Sequence, residues 1–254
     1  MKRKTFNLGA IILAALSLFS TALVSCESEP SSGDEVVVDG IRYEIDTKNH
    51  SATILKMEEY QLGYLELPDS VYYKRKQYAV KHIAKMAFYG ADITGIKLPQ
   101  PLETIGKSAF ERAELHSLTI GPNVTLIERD AIFSCLYLDE IVFEDSTLPI
   151  TLEDFKISES TAYMVQDLYI GRNITDFAIL PYGNLTIGKD VTEIGFKRQW
   201  NDRINVYSYP TVPPATKIYL YWAHQPINVY VPAGSVQAYK EDEFWGQLNI
   251  YPMK

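Results

Sequence analysis

Few side chains in this sequence are spaced for chemistry. The four histidines, His50, His82, His116 and His224, stand 32, 34 and 108 residues apart, and no His-x-x-x-His or Cys-x-x-Cys spacing offers a metal ion a chelating pair. There is no Gly-rich phosphate loop and no Gly-x-Ser-x-Gly nucleophile elbow; Gly121-Pro122-Asn123 and Gly234-Ser235 read as turns after strands. Neighbouring carboxylates such as Glu153-Asp154 could act as an acid and base pair, but with 32 Asp and Glu such adjacency is common. Two cysteines are too few for a disulfide framework. Cys135 lies in the apolar run Ile132-Phe133-Ser134-Cys135-Leu136 and is expected as a packed core thiol. No catalytic residue, metal ligand or cofactor site is therefore expected.

Cys26 has a different setting. Lys2, Arg3 and Lys4 precede an apolar run from Leu8 to Val24, the plan of a secretory signal peptide over residues 1–25. The run is also close to the ~20 residues that span a bilayer, so an uncleaved anchor is the alternative. Leu23-Val24-Ser25-Cys26 resembles the lipobox of bacterial lipoproteins, in which a small residue precedes the cysteine and its thiol accepts a diacylglycerol. Cys26 is the expected lipid attachment residue, and several acyl chains would hold the protein stably at a membrane. Residues 26–36 carry Glu27, Glu29, Asp34 and Glu35 with no cation, cannot pack a core, and are expected as a flexible tether. Acidic residues directly behind the cysteine also resemble the surface-export signal of lipoproteins in some Gram-negative bacteria. The expected location is the bacterial outer membrane with display on the cell surface, the periplasmic side being the alternative. The net charge of −8 becomes −11 once residues 1–25 are removed, because only cations are lost. Such a balance argues against a nucleic-acid partner, which needs clustered cations.

The elements that would position a site come from an internal repeat. Ile83-Ala-Lys-Met-Ala87-Phe88 superposes on Ile105-Gly-Lys-Ser-Ala109-Phe110 and on Ile127-Glu-Arg-Asp-Ala131-Ile132, at intervals of 22 and 22. Ile93, Ile96 and Leu98 superpose on Leu115, Leu118 and Ile120, then on Leu138, Ile141 and Phe143, at 22 and 23. One residue is therefore added between Ala131 and Leu138, with Phe133 the expected place. Apolar residues two apart share one face of a strand, whereas the Ile-x-x-x-Ala-Phe spacing suits a helical or 3₁₀ turn. One strand and one turn per 22 or 23 residues is the build of a β-rich leucine-rich repeat solenoid, whose coils hide their apolar edges by stacking. Further strands are expected at Leu168-Tyr-Ile170, Leu185-Thr-Ile187, Ile204-Asn-Val206 and Val229-Tyr-Val231, with Leu168, Leu185, Ile204 and Val229 equivalent.

Residues 37–82 are expected as an N-terminal β-hairpin cap. One hairpin pairs Ile41–Ile45 with Ala52–Leu55, and a second pairs Val71–Tyr73 with Tyr78–Val80 around the basic tip Lys74-Arg75-Lys76-Gln77. Repeats then occupy 83–231 and a C-terminal cap 232–254, all within one domain, 37–254.

Val80 to Phe88, the rungs Ile96-Lys-Leu98-Pro99 and Leu118-Thr-Ile120-Gly121-Pro122, the pair Pro213-Pro214, and the end Val229-Tyr-Val231-Pro232-Ala-Gly234-Ser235-Val-Gln-Ala-Tyr239-Lys240 with Trp245 and Ile250 resemble the BspA-like leucine-rich repeat family. The resemblance covers about residues 37 to 254. It implies a right-handed curved parallel-sheet solenoid with short helical or 3₁₀ turns on the other side. It also implies a bacterial cell-surface protein, several of the family binding host matrix proteins or other cells. Ile132 stands where the first two repeats have Phe, and residues 145–165 break the period.

In a solenoid, residues flanking the buried strand positions point to the concave sheet, the usual binding face. Here they are Gly95, Lys97, Ser117, Thr119, Glu140, Val142, Asp167, Tyr169, Asn184, Thr186, Asn205 and Tyr230. Tyr169 and Tyr230 are aromatic anchors of the kind enriched in interface cores. The leading functional reading is a non-catalytic surface lipoprotein binding a protein or glycan ligand. An accessory subunit of an outer-membrane nutrient-uptake complex comes second and a glycan hydrolase third.

Overall fold

In the computed structural model, the described residues are 33–59, 61–153, 165–177, 181–196, 204–218 and 227–254. The signal segment, Cys26 and the tether up to residue 32 lie outside them, as do Asp154 and His224. Gly33–Lys254 form one compact unit.

The chain begins with antiparallel strands β1 (Asp34–Val38), β2 (Ile41–Asp46) and β3 (Ser51–Met57). Asp39-Gly40 joins the first two with φ of 48° and 73°, the paired positive values of a type I′ hairpin turn. Asp34 to Val36, assigned above to the tether, are thus strand. The acidic pair Asp34-Glu35 disguised a β-branched run in which Val36 and Val38 pack against the core. Strand β4 (Gly63–Glu66) follows, then the hairpin β5 (Ser70–Tyr73) and β6 (Lys76–Ile83), turned by Lys74 and Arg75 with φ of 45° and 66°. Lys74 reaches back to Asp34 at 2.9 Å, both well exposed. Beyond this turn β6 also pairs in parallel with β3, from Ala79 to Ile83, and the antiparallel start gives way to a parallel stack.

The stack runs through β7 (Ile93–Lys97), β8 (Thr104–Ile105), β9 (Ser117–Ile120), β10 (Leu126–Ile127), β11 (Glu140–Phe143), β12 (Thr151–Leu152), β13 (Asp167–Ile170), β14 (Ile174–Phe177) and β15 (Asn184–Ile187). It continues with β16 (Glu193–Phe196), β17 (Asn205–Ser208), β18 (Ala215–Ile218), β19 (Asn228–Val231), helix α1 (Val236–Glu241) and β20 (Asn249–Pro252). A nine-stranded parallel sheet takes β4, β7, β9, β11, β13, β15, β17, β19 and β20 in that order. The return side of the coils carries β6, β8, β10 and β12 in one sheet and β14, β16 and β18 in another. Turns were expected on this side. They are present, as in the i to i−3 bonds Ala87 to Ala84 and Ala109 to Gly106, and short parallel strands are added to them.

The turn segments repeat in conformation as well as in sequence. Met86, Ser108 and Asp130 have φ of 59°, 55° and 60°, and Gly90, Arg112 and Ser134 have 63°, 61° and 60°. Every second N–H here crosses to the next coil: Phe88 donates to Ala109 and Phe110 to Ala131. This accounts for backbone groups that no regular helix or strand would satisfy. The 22-residue interval persists through Ser134 and Cys135, the latter buried like Ala113, and breaks only by Leu138, the counterpart of Leu115. The added residue therefore lies at Leu136-Tyr137, both exposed, and not at Phe133 as the sequence suggested.

The core lies between the sheets. Ile96, Leu118, Ile141, Leu168, Leu185, Val206, Val229 and Ile250 align as one buried column, each pairing with the next. Val206, not Ile204, is the equivalent of Leu185; the step is then 21 residues and the next 23, so the later coils are more regular than the sequence implied. A second column runs Ile120, Phe143, Ile170, Ile187 and Ser208. Each aliphatic member contributes about 1.5–3 kcal/mol by leaving water. The stack reaches further at both ends than expected, since β4 lies within the segment assigned to the N-terminal cap and β20 within the C-terminal one.

Candidate recognition surface

Strand alternation leaves two columns facing away from the core of the nine-stranded sheet. The first reads Tyr64, Gly95, Ser117, Glu140, Asp167, Asn184, Asn205, Asn228 and Asn249, each pairing with the next. The second starts with the pair Glu66 and Lys97 on β4 and β7, and from Thr119 on reads Val142, Tyr169, Thr186, Tyr207, Tyr230 and Tyr251. All the face residues named from sequence lie on these columns: Lys97, Ser117, Thr119, Glu140, Val142, Asp167, Tyr169, Asn184, Thr186, Asn205 and Tyr230. They are exposed or half-buried, apart from the buried Gly95.

Sequence reasoning missed Tyr64, Glu66, Tyr207, Asn228, Asn249 and Tyr251. Placing Ile204 in the buried column hid Tyr207 as an outward neighbour. β4 and β20 have only Leu65 and Ile250 as buried strand residues, so neither shows the paired apolar spacing of the other rungs. A signal was available in the recurring Asn-aliphatic-Tyr of Asn205-Val206-Tyr207, Asn228-Val229-Tyr230 and Asn249-Ile250-Tyr251.

The face changes character along the stack. Towards β4 it is charged or small: Lys97 pairs with Glu66, which raises its pKa, and the Tyr64 ring lies against Gly95. In the middle, the Tyr169 hydroxyl donates to Asp145 Oδ1 at 2.6 Å. Partial burial and then that carboxylate push its pKa up to about 12, so it remains a donor. From Asn184 onward the face is uncharged. Asn184 Nδ2 donates to Asp167 Oδ1 at 2.7 Å, Asn205 Nδ2 to Asn184 Oδ1 at 3.4 Å, and Asn249 Nδ2 to Asn228 Oδ1 at 3.2 Å. Beside this amide ladder, Tyr207 and Tyr230 stack at 5.1 Å and 17°, and Tyr251 lies tilted against Tyr230 at 5.8 Å and 32°.

The other chemistry-bearing groups are dispersed. Among the described residues, no three His, Cys, Asp or Glu side chains gather as a metal site. His82 is half-buried against Thr104 Oγ1 at 2.8 Å, with its pKa lowered chiefly by burial. His50 stacks on Tyr78 and His116 on Tyr137. Cys135 is buried, donates to the Phe110 carbonyl at 3.0 Å, and has its pKa pushed up to about 12 by desolvation, as suits an inert core thiol. A concavity of about 260 Å³ on the return side is lined by Lys107, Glu128, Arg129 and Glu153, which offset one another in charge.

One strand per coil on a continuous parallel sheet, repeating every 21 to 23 residues over most of its length, defines a leucine-rich repeat solenoid. Residues 78–197 match the BspA type leucine rich repeat region in six copies. Similar solved structures include a leucine-rich repeat protein from Bacteroides capillosus, 28% identical over 49% of this chain and 88% of that one, TM-score 0.39. Another is a leucine rich cell surface protein from Faecalibacterium prausnitzii, 18% identical over 74% of this chain and 55% of that one, TM-score 0.42. A third, a leucine-rich repeat protein from Bacteroides ovatus, is 15% identical over 86% and 76%, TM-score 0.31. No curated protein matches the chain.

Proposed function

We propose that this chain is a lipid-anchored bacterial surface protein whose solenoid recognises a ligand, without catalysis, on the outward face of its nine-stranded sheet. The observation that carries the reading is the pair of outward columns, continuous from rung to rung, that a rigid stack holds in fixed register. Repeat proteins use such extended surfaces for binding because successive coils present side chains at a constant interval. Members of the family are commonly surface or adhesion proteins, which supports the same reading. The lipobox at Cys26 and the acidic tether supply the anchor and the spacer.

The full chain in detergent, applied to arrays of host matrix proteins and glycans, tests the face. Thr119→Arg and Thr186→Arg place a long cation in its two halves. At least one ligand is expected, with loss of ligand binding in one of these variants at unchanged melting temperature. Binding indifferent to both substitutions, or no binding at all, would contradict the assignment. Anchoring is tested separately by Cys26→Ala, expected to move the protein out of the membrane fraction; undiminished membrane retention would overturn it.

A further inference from the structure

We infer that the C-terminal half of the outward face, an asparagine column beside a tyrosine column, is a binding strip for a neutral polysaccharide chain. This deepens the reading of that face as the recognition surface and rests on it. A sugar unit carries apolar C–H faces and a rim of hydroxyls, each both donor and acceptor. It carries no charge to pair.

The strip has the matching chemistry. A primary amide holds two N–H donors and two carbonyl lone pairs, and the bond along the ladder uses only part of that capacity at Asn205, Asn228 and Asn249. Asparagine can therefore give to one sugar hydroxyl and take from another. The tyrosine rings lie at centroid separations of 5.1 and 5.8 Å, close to the strand spacing of about 4.8 Å, with Tyr207 and Tyr230 stacked and Tyr251 tilted against Tyr230. The stack carries a row of phenol hydroxyls and ends in Tyr251, 44% exposed on the last strand of the sheet. Both columns repeat once per strand, so a polymer with recurring hydroxyls meets the same pair of side chains at each step.

Charge selects among possible occupants. From Asn184 to Tyr251 neither column contains a charged residue, in a chain of net charge −8. The asparagine column continues into Asp167 and Glu140, which would repel a polyanion. Without a cation the strip cannot hold phosphates or sulfates, and a basic protein segment would find its carboxylates only beyond the strip, at Asp167 and Glu140. A neutral glycan fits without leaving a charge unpaired.

Affinity electrophoresis of the full chain in detergent, through gels containing dextran, mannan or galactan, tests this, with dextran sulfate as the anionic comparison. Retardation by at least one neutral polymer is expected. Asn228→Ala and Tyr251→Ala are each expected to weaken it at least tenfold with melting temperatures unchanged, and Tyr230→Phe, which keeps the stack, to weaken it less. If a variant melts early, Thr186→Arg, which blocks the strip at its edge, gives the second reading and is expected to abolish retardation. Retardation by dextran sulfate alone, by none of the polymers, or equally in Asn228→Ala, Tyr251→Ala and Thr186→Arg would overturn the inference. A protein ligand lost in Thr119→Arg or Thr186→Arg while neutral polymers fail would overturn this strip and leave the broader face standing. Indifference of every ligand to both threonine variants would remove the face as well.

Discussion

Arg172 and Tyr43 show at the level of single residues how differently two buried polar groups can be accommodated. Arg172, 1% exposed, donates from Nη1 to the Val124 carbonyl at 2.7 Å, from Nη2 to Gly121 at 2.7 Å and from Nε to Glu144 at 3.2 Å. Burial lowers its pKa, and the Glu144 charge opposes that. One guanidinium thus ties the loops after β9, β11 and β13. Truncation leaves three carbonyls without it, so Arg172→Ala is expected to cost about 3 kcal/mol in urea denaturation. Arg172→Lys, whose point-like ammonium cannot span three carbonyls, is expected to recover little of this. The Tyr43 hydroxyl, by contrast, is buried with no hydrogen-bond partner among the described residues, and desolvation pushes its pKa up to about 12. Tyr43→Phe is expected to raise stability by about 1 kcal/mol, and a loss would show that the hydroxyl is bonded after all. Neither role was legible in sequence. An arginine after a strand reads as surface, and which carbonyls lie near it depends on coils 28 to 51 residues away.

The turn that follows each of β6, β8 and β10 ties its coil to a neighbouring one. Gly90 has φ of +63° and open space where a Cβ would stand, so Gly90→Ala isolates the cost of the left-handed backbone, about 1 kcal/mol. Arg112 and Ser134 bear that strain at the equivalent positions. Gly106 presents the other constraint: an added Cβ would fall 2.7 Å from the Lys85 nitrogen and 2.8 Å from the Ile83 carbonyl oxygen, both backbone of the preceding coil. Gly106→Ala is expected to cost about 2–3 kcal/mol because two coils must separate. Thermal melts check the order, and equal losses would refute close approach as the reason for glycine there. The 22-residue interval was readable because each turn repeats an Ile, an Ala and usually a Phe. Strands β1, β4 and β20 were not, because a four- or five-residue strand with little apolar alternation becomes a strand only when a neighbour supplies its hydrogen bonds.

For the molecule as a whole, stability accumulates coil by coil, since each strand pairs with its immediate neighbours, and Arg172 adds a tie that reaches two coils back to Gly121 and Val124. The C-terminal end is closed by α1 and the segment after it. Trp245 is fully buried, with Nε1 donating to the Pro214 carbonyl at 2.9 Å, and the Tyr239 hydroxyl meets Pro210 at 3.1 Å and Ser208 at 2.8 Å. Trp245→Ala is expected to cost about 3–5 kcal/mol. In hydrogen exchange, protection should fall in β17, β19 and β20 while β9 and β11 keep theirs; a uniform fall would argue against one-dimensional stacking. The sequence by itself determined the repeat, the alternation of buried and outward residues, and the strand-and-turn composition of each coil, because these arise from spacings of two to five residues and a constant interval. Only the tertiary structure decided which residue of one coil lies beside which residue of the next. That register is set by backbone hydrogen bonds between segments 17 to 27 residues apart, and one slip of two residues, as between Ile204 and Val206, reassigns a whole rung. The amide ladder, the tyrosine stack and the three carbonyls around Arg172 all depend on it.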